Sequence, residues 1–350
     1  MSEYIAFDSH KRYTWMERMD PVSGEVVCRR IEHAPGAIRR ALEGTQRGTA
    51  VAIEATANWY WIVGEIEQAG LEPQLVHPRK AKLMMGLTNK TDRLDAHGMN
   101  RLQQNRTLPV VWIPPGRLRD QRELTRTRVV LVRQRTRLKN RLLAVLAKYG
   151  LRIEASDAFG RRGREQWKQC GERLPDQTRW VVERLLGMVD HLGEEVRQIE
   201  KRLEQLVEQT AEMGLLMSLP GVGVILAATI ALEAGAVSRF GSGGQFASYA
   251  GTTPRVHASG GQVRYGPLRV DVNHYLKWAF AEAANSVAVN QQRRADRHVS
   301  RLYRRVRQRK GHAKAIGAVM HHLAMSAYQV LGRRQLYREP VQEGVGPSGV

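Results

Sequence analysis

Four carboxylates stand at positions that suit phosphodiester chemistry. Asp8 follows the apolar run Tyr4-Ile5-Ala6-Phe7, and Glu54 follows Thr49-Ala50-Val51-Ala52-Ile53. Asp92 and Asp95 lie three residues apart in a helical pattern, a spacing that puts both on one face. Carboxylates that converge without matched cations repel one another, and a divalent metal relieves the repulsion. Two Mg2+ ions roughly 3.5–4 Å apart activate an attacking oxygen and stabilise a leaving one during phosphodiester displacement. The set therefore predicts metal binding by Asp8, Glu54, Asp92 and Asp95, with Mg2+ as the ion and Mn2+ as its substitute. Taken singly, Asp92 reads as a helix cap and Asp95 as a surface acid; the case rests on the four together.

The elements that must position these groups are legible in the pattern. Strands are expected at 4–7, 13–19 and 25–31, with Pro21, Ser23 and Gly24 in a turn, then a helix at 34–42. A buried-type strand at 49–53, a helix at 59–68, a strand at 74–76 and a helix at 92–103 follow. Three strands, helix, strand, helix, strand, helix is the order of a ribonuclease-H-like α/β domain, in which the first and fourth strands are neighbours and bring Asp8 beside Glu54. Pro109, Pro114 and Pro115 mark the linker that ends this domain, assigned to residues 1–112.

Residues 113–213 are expected to form a basic helical arm. Its second long helix, 178–213, carries Val182, Leu185, Val189, Leu192, Val196, Ile199, Leu203 and Leu206 at alternating steps of three and four, a coiled-coil seam suited to dimer contacts. The first, 117–150, is crowded with arginines, of which Arg126, Arg133 and Arg137 are nucleic-acid-binding candidates; the plain alternative is a helical hairpin with a solvated basic face. Residues 214–335 make a mainly helical C-terminal domain. There Leu219-Pro220-Gly221-Val222-Gly223 precedes the apolar helix 224–232, and Gly221 and Gly223 leave backbone amides at a helix start for phosphate, as in helix-hairpin-helix modules. Loops are expected at 241–244 and through His257 to Gly261, helices at 273–287 and 313–331, and a disordered tail from 336 to 350. Trp59, Tyr60 and Trp61 read as core packing before base stacking, and His321 with His322 lacks a partner at zinc spacing.

Charge points to the partner. The chain of 350 residues carries 55 Lys plus Arg against 34 Asp plus Glu, +21 in all. Residues 113–150 hold +9 and residues 291–350 hold +10, so two short blocks carry nearly everything. That fits a polyanion gripped at two places, with Arg304, Arg305 and Arg307 in the second block as candidates. Arginine outnumbers lysine 44 to 11, which favours bidentate phosphate contacts. Cys28 and Cys170 cannot build a disulfide framework, and neither a signal peptide nor a membrane span is legible; a cytoplasmic, nucleic-acid-facing protein is expected.

Asp8 after Tyr-Ile-Ala-Phe, Glu54 in Ala-Ile-Glu-Ala-Thr, His77-Pro78-Arg79-Lys80, and Lys90-Thr91-Asp92-Arg93-Leu94-Asp95-Ala96 together resemble the DEDD transposases of bacterial insertion sequences, which include the bridge-RNA-guided recombinases and are kin to the Piv-type DNA invertases. Leu219 to Gly223, Phe246 to Gly251 and Ser259-Gly260 resemble that family's C-terminal domain. The resemblance spans roughly residues 3–330. It implies a RuvC-like nuclease domain whose acidic tetrad is Asp8, Glu54, Asp92 and Asp95. It also implies Ser259 as a nucleophile that links covalently to DNA, double-stranded donor and target DNA as substrates, guidance by a bridge RNA, and a homodimer assembling to a tetramer.

One departure stands out. Many members of that family carry Lys and Gly in the loop after the serine, where this chain has Val270 and Val272. A role for His257 as base, and for Arg264 or Arg269 in place of that lysine, stays open at this level. Two other readings compete: a metal-dependent nuclease of junction-resolvase type that hydrolyses with water, and a nucleic-acid-binding protein with no catalysis.

Overall fold

The computed structural model describes residues 3–86, 91–208 and 210–340. They form two compact units divided between Pro114 and Pro115, inside the proline-marked linker.

Strand-favouring residues fill the start of the first unit, and it opens with β1 (Tyr4–Ser9), β2 (Tyr13–Met19) and β3 (Val26–Glu32), paired antiparallel in sequence order. After α1 (Ala37–Ala41) come β4 (Ala50–Glu54), α2 (Trp59–Gln68), β5 (Glu72–Val76), α3 (Pro78–Met85) and α4 (Asp92–Gln104). β4 lies parallel to both β1 and β5, and the sheet order is β3-β2-β1-β4-β5. A parallel centre must be covered on both faces. Ile5, Phe7 and Ile53 pack under α2 through Ile62, Val63 and Ile66. On the opposite face Ala6, Ala52 and Val76 meet Ala81, Met99 and Leu102 of α3 and α4. The small residues at 6 and 52 let α4 lie close to the sheet.

Two local details depart from expectation. The helix expected from 34 starts only at Ala37, because Pro35-Gly36 turns the chain (Gly36 φ 74°) and the Glu65 carboxylate accepts from the amides of Gly36, Ile38 and Arg39. α3 was not expected; its signal is Pro78 at the first helical position behind His77, whose ring accepts from the Lys80 amide.

The second unit begins with α5 (Gly116–Lys148), α6 (Arg161–Glu172) and α7 (Asp176–Glu208). α5 and α7 run antiparallel. Leu142 and Leu146 late in α5 share a core with Val182 and Val189 early in α7, and Leu118 and Leu124 join Leu203 and Leu206 at the other end. The heptad seam of α7 is thus filled largely within the chain: Val182, Val189, Val196 and Leu203 are buried, and Leu185, Leu192, Ile199 and Leu206 half-buried. α6, too polar to announce itself, is held by buried Trp167, whose indole N–H donates to the Ala158 carbonyl at 2.9 Å.

Then follow α8 (Ala211–Leu216), α9 (Val224–Ala234), α10 (Gly243–Tyr249), β6 (Pro254–Ser259), β7 (Gln262–Leu268), α11 (His274–Asn290), α12 (His298–Lys310) and α13 (His312–Arg333). Phe246 and Phe280 centre a core drawn from α9 to α13. The loop expected at 241–244 ends at Ser242, which caps α10 by accepting from the Gln245 amide. The segment expected to be irregular around Ser259 is instead a β-hairpin with Gly260 and Gly261 at φ 56° and 75°, the left-handed pair that a tight hairpin turn demands. The expected disordered tail is tied down at its start: the Tyr337 amide donates to Ser218 Oγ and the His298 amide to the Glu339 carboxylate, both at 2.8 Å. Its remainder, 341–350, lies outside the described residues. No helix among the described residues is long and apolar enough to cross a membrane.

Candidate active site

The parallel register sets Phe7 beside Ile53, so Asp8 and Glu54 come next at adjacent strand ends. Thr91 caps α4 by accepting from the Leu94 amide, which fixes Asp92 and Asp95 in its first turn. Lys90, which completes the Lys-Thr-Asp string, lies outside the described residues.

Asp8 is only 4% exposed. Burial pushes its carboxyl up to about 6; His10 opposes the shift, while Glu54, Asp95 and Asp92 add to it. All three predicted partners therefore act on Asp8 electrostatically. Asp92 behaves oppositely: the hydrogen bond from Tyr13 Oη, at 2.7 Å, and the nearby His10 hold it below the usual carboxylate range. One carboxyl is thus pushed toward neutrality while its neighbour is kept ionised.

The tightest constellation differs from the predicted tetrad. His10 Nε2 lies 3.2 Å from Asp8 Oδ2 and 3.1 Å from Asp92 Oδ1. Ligand atoms of Asp8, His10 and Asp92 all fall within 4.8 Å of one another, the group among the described residues that could hold a metal ion. Glu54 and Asp95 fall outside this group, and both act on Asp8. Carboxylate oxygens suit a hard divalent cation such as Mg2+ or Mn2+, with the His10 imidazole left to orient them, and a buried Asp8 beside other acids is the arrangement that such a cation relieves. Sequence reasoning missed His10 and Tyr13. The available signal was a histidine two residues after a strand-end aspartate; Tyr13 joins only because β2 folds back along β1.

Further contacts hold the site's walls. The Asn58 amide donates to the His10 carbonyl at 2.7 Å. Glu17, buried on β2, receives Asn100 Nδ2 at 3.1 Å and pairs with His97 at 3.0 Å, which docks α4 on the sheet just past Asp95.

The other predicted residues belong to the second unit. Ser259 ends β6 at the hairpin turn, exposed. Gly221 sits at φ 77°, where a Cβ would strike the Ala283 carbonyl oxygen at 2.4 Å, so close packing on α11 itself demands glycine there. Gly223 precedes α9 with extended backbone. Arg133, Arg137, Arg304, Arg305 and Arg307 are exposed. Arg126 is engaged instead: its guanidinium forks onto buried Glu233 at 2.8 and 3.0 Å, and Arg122 donates to the carbonyls of Leu232 and Glu233. Arg126 thereby ties α5 to α9. Three arginines not singled out from sequence, Arg293, Arg294 and Arg297, line a cavity of about 480 Å3 beside Pro220 and Gly221.

Comparison with known proteins bears on both units. Residues 5–150 match the DEDD transposase family of the IS110 type, and residues 213–300 match the family described as transposase IS116/IS110/IS902. A probable family 20 transposase of Pseudomonas aeruginosa is 26% identical over 299 residues, 82% of this chain and 85% of the relative. The transposase for insertion sequence element IS1328 of Yersinia enterocolitica is 25% identical over 61% of this chain and 63% of its own length. That for IS1111A of Coxiella burnetii is 22% identical over 77% and 74%.

Proposed function

This chain belongs to the IS116/IS110/IS902 family of insertion-sequence transposases, which cleave and transfer DNA strands, and from that premise we propose how the work is divided along it. The first unit is a RuvC-like, ribonuclease-H-like nuclease domain that holds Mg2+, or Mn2+ in its place, through Asp8, Glu54, Asp92 and Asp95. The observation that carries this is the convergence of buried Asp8 with Asp92, whose ligand atoms lie within 4.8 Å of each other, with Glu54 on the adjacent strand and Asp95 in the same helix turn as Asp92. The strand order with an antiparallel β3-β2-β1 half and a parallel β1-β4-β5 half supports the same fold. A divalent ion bound there supplies Lewis acidity toward phosphate oxygens. His10 and Tyr13 position Asp8 and Asp92.

Ser259 is the nucleophile. Its Oγ forms a bond to the scissile phosphorus as the bond from phosphorus to one deoxyribose oxygen breaks. The serine proton passes to solvent and the departing sugar oxygen takes one up. The serine ester retains the energy of the phosphodiester, so strands rejoin without ATP. The exposed arginines of α5 and α12, with the Arg293, Arg294 and Arg297 cavity by the Gly221 turn, grip nucleic-acid backbones. A bridge RNA selects donor and target, and homodimers assemble to tetramers.

Two measurements test this. Ser259→Ala should abolish a covalent protein–DNA adduct on a denaturing gel along with strand exchange; retained DNA cleavage with no adduct in wild type would favour hydrolysis by water. Sequencing the RNA that co-purifies with the protein should recover one structured transcript of its element, and random transcripts alone would remove the guide.

A further inference from the structure

The hairpin that carries Ser259 sorts its side chains by face. Ser259 pairs with Gln262, Ala258 with Val263, His257 with Arg264 and Val256 with Tyr265. Cross-strand partners project to the same side of a ladder and successive residues to opposite sides. Ser259, Gln262, His257 and Arg264 therefore share one face, and Ala258, Val263, Val256 and Tyr265 the other. The Arg264 guanidinium donates to Gln262 Oε1 at 3.4 Å, as residues on one face can. The second face carries no cation, and its one polar group is the Tyr265 hydroxyl. Every one of these eight side chains is exposed.

Arg269, which sequence leaves as an equal candidate, is differently placed. It lies beyond β7, its guanidinium donates to Ser248 Oγ at 2.8 Å, and its carbonyl receives Lys277 Nζ at 3.0 Å. Those contacts fasten the hairpin's base to α10 and α11. Arg264 is one cross-strand diagonal from Ser259, with no acid on the hairpin to neutralise it.

We infer that the polar face of β6–β7 is the seat of the scissile phosphodiester, with Arg264 and His257 holding its non-bridging oxygens beside Ser259. The inference rests on Ser259 being the nucleophile. A guanidinium fork matches two phosphate oxygens at once, and its charge counts most when the phosphorus gains a fifth oxygen and negative charge grows on the equatorial oxygens. Gln262, bonded to Arg264 and opposite Ser259, orients the fork. Along the ladder Arg264 is the cation nearest the serine.

The test is adduct formation by the full-length protein, with its co-purified RNA, on a labelled duplex bearing the element's end. Arg264→Ala should lower the rate at saturating DNA at least ~100-fold with DNA affinity changed less than ~3-fold. His257→Ala should lower it about tenfold. Arg264→Lys should recover only part of the loss, because a point charge replaces the fork. Val263→Thr, on the opposite face, should leave the rate unchanged. The inference is overturned if Arg264→Ala keeps its adduct, if its defect vanishes at saturating DNA, or if Val263→Thr loses as much. Adduct formation by Ser259→Ala would instead overturn the serine reading itself.

Discussion

Asp8 carries the energetic tension of the first unit. Its folded carboxyl titrates near 6 against an ordinary 3.8, so the folded state binds the proton more tightly than the unfolded chain does. The stability this group contributes is full below pH 3.8 and is lost as pH rises through about 6. About two pKa units correspond to roughly 3 kcal/mol. In the presence of a chelator, Asp8→Asn should therefore melt above wild type at pH 7.5 and match it near pH 4, and added Mg2+ should raise wild type alone. A wild type that melts higher than Asp8→Asn at pH 7.5 without metal would contradict this. The four carboxylates are legible in the sequence because two end apolar strands and two share a helix turn. His10 and Tyr13 are not, since neither periodicity nor composition says that β2 will return a tyrosine to Asp92, 79 residues away.

At the scale of elements, what the sequence discloses depends on whether a face is buried. α2 is read to the residue, and β2 likewise, because burial on one side imprints a period. α6 and α12 escape because few of their residues are buried, and the β6–β7 hairpin escapes because none is. Its only signal was Gly260-Gly261 between short polar and apolar alternations. Glu233 was equally silent, an acid ending an apolar helix, yet it anchors α5 through Arg126 and receives Asn273 Nδ2 at 2.8 Å, the side chain that caps α11 just after the hairpin. Removing one partner of a buried ion pair costs about 3–5 kcal/mol. Glu233→Ala should lower the denaturant midpoint of the second unit accordingly, and a loss below about 1 kcal/mol would show that the arm is held elsewhere.

Over the whole molecule, grip and chemistry are assigned to different segments. Residues 1–112 hold 15 cations against 13 anions, near neutrality, whereas 113–150 and 291–350 carry +9 and +10. Backbone contacts release counterions, so replacing Arg304, Arg305 and Arg307 together by alanine should flatten the log affinity against log salt slope by about 2–3, equally on unrelated DNA sequences. A slope left unchanged would remove α12 from the interface. The central claim, that a metal-binding acidic cluster in the first unit drives strand transfer, is tested most directly by recombination on a donor–target plasmid pair with wild type and Asp92→Asn side by side. The expected result is recombinants from wild type with Mg2+ and none from Asp92→Asn, with both proteins equally folded and equally able to bind nucleic acid. Wild-type levels of recombinants from Asp92→Asn would contradict it.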